Sequence, residues 1–302
     1  MPLTRLSLAC LVLLCGCPSS VEPPPAAPPD AAAPPDKESC RTFAPPRQVG
    51  TVSDPALGEL SGIVASRSQP GVYFVHNDSG DAARFFAIDA SGALLAEYRL
   101  DGVTAVDFED IDLGPCPSGT CLFIGDVGDN LRRRGEVVIY RVPEPTVERG
   151  AKARTLQADA LRFTYPDGAH DVEALFAHPR TGELFVVTKH PDTVAVYAVS
   201  QTGGDVQQAR RIASFKPPEE GVLFTAGNLH PDGARLLLRA YGALFELRGS
   251  SEDVAALFNS PFRALTPPDE LQGEAIAWLA DGTGWISVAE GAGAVLFRAD
   301  CR

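Results

Sequence analysis

The sequence predicts an all-β protein that folds as a five-bladed β-propeller. Its apolar segments are short, rich in β-branched and aromatic residues, and separated by Gly, Pro and Asp, which is typical of strands and turns. No long stretch has a helical period. Similar segments also recur at intervals of 47 to 64 residues, which is the length of a four-stranded propeller blade.

Two polar positions mark each repeat. The first begins an inner strand, and the proposed equivalents are Ser61, Glu109, Glu173, Gly227 and Glu274. The second follows the next apolar run, and its proposed equivalents are Asn77, Asp126, Lys189, Ala240 and Glu290. The longest interval, between Glu109 and Glu173, could contain a degenerate set of strands, so a six-bladed ring is the alternative.

The two ends of the repeat region predict how the ring closes. The fifth unit ends at Cys301 after three strands, and the segment RQVGTV (47–52) is available as its missing outer strand. Four cysteines remain beyond the leader, an even number that indicates disulfides in an exported protein. Cys116 and Cys121 flank a tight turn and are expected to pair, which leaves Cys40 to pair with Cys301 and lock the ring.

Residues 1–16 have the pattern of a lipoprotein signal peptide. Arg5 precedes a short apolar run, and Gly16 precedes Cys17, which is the expected site of lipidation. The run is too short to span a membrane, so acyl chains on Cys17 would attach the protein to the bilayer instead. Pro18 stands where inner-membrane lipoproteins often have Asp, which favours the outer membrane in a cell that has one.

The composition divides the rest of the chain into a tether and one folded domain. Residues 17–39 are rich in Pro and Ala and are expected to be extended, and residues 40–302 form the propeller. The formal net charge of −13 argues against nucleic acid as a partner, because phosphate binding requires basic clusters. We expect a monomer.

The two polar positions of each repeat should meet at one end of the propeller axis, which we call the axial mouth. Carboxylates crowded there repel one another unless a cation offsets them, and Ca²⁺ suits oxygen ligands. The predicted metal ligands are Glu109, Asp126, Glu173 and Glu274. Asn77, Lys189 and Arg239 are predicted to contact a ligand, and Glu290 and His76 are the candidate general bases.

An ordered set of segments resembles a family of exported bacterial propeller proteins described as WD40-like. Among these segments are ELSGIVAS, HNDSGDAARFFAID, DFEDIDLGP, LFIGDVGDN, YPDGAHDVEAL and QGEAIAW. The resemblance spans almost the whole domain and implies the propeller fold but no particular reaction. The chain is more distantly similar to phytase-like and gluconolactonase-like propellers, a similarity that implies Ca²⁺ on the axis.

Three functions remain open from the sequence. The first is a cell-envelope lipoprotein that binds a small ligand, an ion or a protein partner at the axial mouth. The second is a Ca²⁺-dependent hydrolase of a phosphoester or a lactone, in which Lys189 and Arg239 would hold the anion. The third is a scaffold whose ring of polar residues is purely structural.

Overall fold

The computed structural model describes residues 40–151, 153–270 and 272–302, and these form a five-bladed β-propeller. The prediction of five blades is therefore confirmed. The predicted signal peptide, the lipidation site Cys17 and the tether lie outside the described residues. Within the described ranges, no helix is long and apolar enough to cross a membrane.

The blades follow one another along the chain, and the first strand of the chain completes the last blade. This first strand is β1 (Arg47–Thr51). Blade one then contains β2 (Leu60–Ala65), β3 (Val72–Asn77), β4 (Arg84–Asp89) and β5 (Leu94–Leu100). Blade two contains β6 (Phe108–Cys116), β7 (Gly119–Asp126) and β8 (Val137–Pro143), followed after β9 (Arg154–Leu156) by β10 (Asp159–Thr164).

The remaining blades repeat this plan. Blade three contains β11 (Val172–Ala177), β12 (Leu184–Thr188) and β13 (Val194–Val199), followed after β14 (Gln207–Gln208) by β15 (Arg210–Phe215). Blade four contains β16 (Phe224–Leu229), β17 (Arg235–Ala240), β18 (Ala243–Arg248), the short helix α1 (Val254–Leu257) and β19 (Arg263–Leu265). Blade five contains β20 (Gly273–Trp278), β21 (Gly284–Ala289) and β22 (Val295–Asp300).

The ring closes as the sequence predicts. Strand β1 pairs antiparallel with β22 and becomes the outer strand of blade five. A disulfide joins Cys40 to Cys301, and a second joins Cys116 to Cys121 across the β6–β7 turn. The first disulfide lies at the face opposite the axial mouth, because the Cys301 amide donates to Thr283 in the β20–β21 turn.

Two short strands lie outside the four-stranded plan of the blades, and the first of them lies in the long interval that made six blades an alternative. Strand β9 pairs in parallel with β5 of blade one, and β14 pairs in parallel with β10 of blade two. Each lies in the connection between the last two strands of its own blade and extends the outer edge of the preceding blade's sheet. The extra residues between Glu109 and Glu173 therefore widen blades rather than add one.

The apolar core consists of five clusters, and each fills the space between two adjacent blades. Between blades three and four, for example, Phe176 and Phe185 stack with ring centroids 5.2 Å apart, and Leu236 and Leu238 pack against them. Every blade therefore buries side chains on both faces of its sheet. This explains why the inner strands are buried along their whole length instead of alternating with polar residues.

Hydrogen bonds across the axis link blades two to five. The fully buried Asp110 carboxylate accepts from the backbone amides of Leu175 and Gly227, in blades three and four. Asp112 accepts from the Ala177 amide and from the Asn228 side chain, and Asn228 in turn accepts from the Trp278 amide of blade five. These groups occupy the middle of the axis, below the axial mouth.

Candidate metal centre

A β-bulge at the start of every inner strand presents the residues of the axial mouth. In each blade the pairing register skips one residue, and the five skipped residues are Ser61, Glu109, Glu173, Thr225 and Glu274. A bulge changes the direction of a side chain and is often found beside a functional site. The Ser61 hydroxyl donates to the backbone carbonyl of Glu109 in the next blade at 2.6 Å, and the Thr225 hydroxyl donates to that of Gly273 at 2.8 Å.

Five carboxylates at the mouth form two groups that share one member. Oxygens of Asp78, Asp107 and Glu109 lie within 4.8 Å of one another, and so do oxygens of Glu109, Asp171 and Glu173. We call the first group the rim subsite, because Asp78 and Asp107 are partly exposed, and the second the buried subsite. These buried acidic groups could hold a metal ion.

Glu109, which both subsites share, is a buried carboxylate without a protein partner. The residue is 3% exposed, and its side chain makes no hydrogen bond within the described part of the chain. Gly128 makes room for it, since a β-carbon at that position would overlap Glu109 Oε1 and crowd Asp107 Oδ2. A carboxylate that is largely shielded from water and has no protein partner is costly to ionise, so the site favours either a bound proton or a bound cation.

The pKa values of the mouth carboxylates are raised by burial and by mutual repulsion. Burial, followed by Glu173 and Asp78, raises the pKa of Glu109 well above its ordinary value. Burial also raises the pKa of Asp107 to about 6, with repulsion from Asp78 adding to it. Burial raises the pKa of Glu173 to about 7 even though Lys189 opposes the change. Without a cation, the cluster therefore retains protons near neutral pH.

Lys189 is the cation that accompanies this cluster. Its ammonium donates to Glu173 Oε1 and to the Tyr241 hydroxyl, both at 2.6 Å, and lies 4.9 Å from the centre of the Tyr241 ring. Burial by itself would lower the pKa of Lys189, but the attraction of Glu173 outweighs it, so the pKa is raised above its ordinary value. Lys189 offsets one of the five carboxylate charges.

Asp126, a predicted metal ligand, contacts the neighbouring loop instead of joining either subsite. Its oxygens accept from the amides of Val106 and Asp107, both at 3.1 Å, and one lies 2.8 Å from the Arg134 guanidinium. Asp126 thereby fixes the backbone that carries Asp107 into the rim subsite. The nearby Asp129 helps to position Asp171, because the backbone amide of Asp129 donates to Asp171 Oδ1 at 3.0 Å.

Glu274, the fourth predicted metal ligand, lies near Glu173 but outside both subsites. It is 8% exposed, and within the described residues its carboxylate accepts no hydrogen bond. Burial and the proximity of Glu173 raise the pKa of Glu274 to about 8. Glu290 is more exposed and accepts a hydrogen bond from the Gln272 side chain at 3.0 Å.

Three further predicted site residues serve the fold around the mouth. Asn77 donates to Ala56 O and to Asp81, which ties down the loop before β2. Arg239 has no exposed surface and pairs with Glu270 at 2.7 Å. His76 is also fully buried; its Nδ1 lies 2.8 Å from Asn77 O, and burial lowers its pKa to about 4, so its ring is neutral.

Several residues important to the site were absent from the predicted ligands. Asp78, Asp107 and Asp171 lie in loops directly beside strand ends. Their acidic neighbours in the sequence indicate a position at the mouth, but not that their oxygens come together. Gly128 could have been noticed in the sequence, because a glycine lets another group come close to the backbone, and here that group is the Glu109 carboxylate. The Arg239–Glu270 pair has no such signal, because it joins residues 31 positions apart.

Known proteins resemble this chain only at low sequence identity. No protein-family model matches the chain, and no curated protein sequence matches it. Among solved structures, the chain is similar to the PQQ-bound aldose sugar dehydrogenase of Streptomyces coelicolor, with 14% identity and a TM-score of 0.49 over 86% of this chain and 98% of that one. It is also similar to a luciferin-regenerating enzyme, with 9% identity and a TM-score of 0.44 over 83% and 94%. At these identities the similarity concerns the fold alone.

Proposed function

We propose that the protein is an exported, lipid-anchored propeller whose axial mouth binds a divalent cation. The observation that carries the proposal is Glu109, a carboxylate that is 3% exposed, lacks a partner among the described residues and belongs to two groups of acidic oxygens. A cation would supply the interaction that the protein itself does not supply. The bound ion would then offer open coordination positions to a small ligand or to a partner protein.

The chemistry of the mouth favours Ca²⁺ as the cation. Every donor in the two subsites is a carboxylate oxygen, which is the ligand type of hard cations, and neither subsite contains His or Cys. The donors come from three different blades and from loops, so their spacing can adjust to an ion. Ca²⁺ tolerates irregular coordination by six to eight oxygens, whereas Mg²⁺ requires near-ideal octahedral geometry.

The proposed lipid anchor on Cys17 implies where the protein lies in the cell. The predicted location is the cell envelope, with the outer membrane preferred where there is one.

Cation binding fits the geometry better than the alternative of a hydrolase. In that alternative Arg239 would hold an anionic substrate and His76 could act as a base, yet both side chains have no exposed surface. Arg239 is also paired with Glu270, which Ser287 further bonds at 2.9 Å. Of the two predicted anion contacts, Lys189 lies at the mouth, and its ammonium is already paired with Glu173.

Thermal unfolding with and without Ca²⁺ tests the proposal. A ligand that binds only the native state at 100 times its Kd stabilises it by about 2.7 kcal/mol. We expect the melting temperature to be higher in millimolar CaCl₂ than in EDTA, and we expect Glu109→Gln to lose this difference. Glu220→Gln, an exposed change of the same chemistry, should retain it. An identical melting temperature in CaCl₂ and EDTA for the unmodified protein would refute cation binding.

A further inference from the structure

We infer that the axial mouth holds two cations, with the Glu109 carboxylate bridging them. The inference rests on the proposed function and specifies it, since it assigns one cation to the rim subsite and one to the buried subsite. Each subsite has three carboxylates whose oxygens lie within 4.8 Å of one another, and Glu109 is the member they share. A carboxylate has two oxygens and can bind a different ion through each.

The hydrogen bonding of the five carboxylates agrees with this role for Glu109. Three of the other four already have a protein donor: Asp78 accepts from the Ser79 amide, Asp171 from the Asp129 amide and Glu173 from Lys189. Glu109 is buried between the two subsites and accepts nothing within the described residues. Both of its oxygens are therefore available to ions.

The charge balance also favours more than one ion. Five ionised carboxylates form the two subsites, and Lys189 offsets one negative charge through Glu173. Arg134, another cation in the loop at the mouth, is paired with Asp126. The four remaining negative charges equal the charge of two divalent cations, whereas one ion would leave two of these charges without a counterion at the mouth.

The two subsites draw on different blades, so a single substitution can remove one without the other. The rim subsite depends on Asp78 from blade one and Asp107 from blade two, and the buried subsite depends on Asp171 and Glu173 from blade three. Asp78→Asn and Asp171→Asn both keep a side-chain oxygen for the amide that they currently accept from. Each variant should therefore fold and lose one ion.

Equilibrium dialysis against CaCl₂, after removal of bound metal with EDTA, measures the number of ions. We expect two Ca²⁺ per chain in the unmodified protein and in the exposed control Asp205→Asn. We expect one in Asp78→Asn, one in Asp171→Asn and none in Glu109→Gln, with unchanged circular dichroism. One Ca²⁺ per chain in the unmodified protein would overturn the bridge and leave the proposed function standing. No bound Ca²⁺ would overturn both.

Discussion

The ammonium of Lys189 lies 2.6 Å from Oε1 of Glu173, at the edge of the buried subsite. Lys189 thus competes with a cation for the same carboxylate. The contact stabilises the metal-free protein, because it offsets charge among buried acids, but it also opposes the binding of a second positive charge nearby. Stability and cation affinity should therefore change in opposite directions when the ammonium is removed.

Lys189→Met tests this competition. We expect the metal-free variant to be less stable than the unmodified protein at pH 8, because Glu173 loses its partner. We also expect its Ca²⁺ affinity to rise about tenfold, which corresponds to about 1.4 kcal/mol. Titration calorimetry measures the affinity, and the exposed Lys216→Met is the matched control. A weaker affinity in Lys189→Met would mean that the ammonium supports binding.

Gly128→Ala tests whether the space beside Glu109 matters. The new β-carbon would overlap Glu109 Oε1, so the carboxylate must shift from the position that it occupies between the two subsites. We expect Ca²⁺ affinity to fall at least about tenfold, the equivalent of about 1.4 kcal/mol. Gly135→Ala lies in the same loop, where a β-carbon meets no atom within 4 Å, and should bind Ca²⁺ normally. Equal affinities in the two variants would contradict the placement of Glu109.

The raised pKa values predict an unusual dependence of stability on pH in EDTA. Burial raises the pKa of Glu173 to about 7 and that of Glu274 to about 8, so the folded protein holds protons that the unfolded chain releases near pH 4.5. The stabilisation from these retained protons is fully present below the pKa of the unfolded chain. It is lost as pH rises through the pKa values of the folded protein. His76, whose pKa is lowered to about 4, acts oppositely only below about pH 6.5.

Urea unfolding between pH 6.5 and 8.5 measures the contribution of the carboxylates to stability without that of His76. In EDTA we expect the free energy of unfolding to fall by about 1 to 2 kcal/mol over this range, because each retained proton is worth about 1.4 kcal/mol per pH unit. Saturating Ca²⁺ should remove the part of the decrease that comes from Glu173, since the cation takes the place of its proton. Glu274→Gln should reduce it as well. A constant or rising stability in EDTA would show that these carboxylates are ionised without cost.

The sequence predicted the blades because their evidence is local and repeated. Strand segments recur at a nearly constant spacing, and the leftover Cys40 and Cys301 agree with the missing strand that β1 provides. The parallel strands β9 and β14 were not predicted, because each is two or three residues long and pairs only through contacts with another part of the fold.

The residues of the mouth were predicted only in part, for reasons of strand geometry. In blade four the alignment chose Gly227, but the equivalent bulged residue is Thr225. A strand alternates with a period of two, so an error of two residues leaves the pattern of apolar positions unchanged. Asp126 is a polar residue at a strand end, which the pattern of the repeats does show. Its partners, two backbone amides and Arg134, belong to loops whose path the pattern does not show.

Asp110, directly after Glu109, has a separate role that can be measured by itself. Asp110→Ala would leave the buried amides of Leu175 and Gly227 without an acceptor, and each such loss costs about 1 to 3 kcal/mol. We therefore expect a decrease of about 2 to 6 kcal/mol in the free energy of unfolding. Asp110→Asn keeps one oxygen and should lose less. If the two variants were equally stable, the carboxylate would not be linking blades three and four.

Anomalous diffraction from crystals soaked in MnCl₂ tests the central claim most directly, because it locates the cation relative to Glu109. Manganese prefers the same oxygen ligands and can be identified at its absorption edge. Our account predicts anomalous peaks on both sides of the Glu109 carboxylate, one among the rim subsite oxygens and one among those of the buried subsite. A mouth without any anomalous peak, in crystals that bind manganese elsewhere, would contradict it.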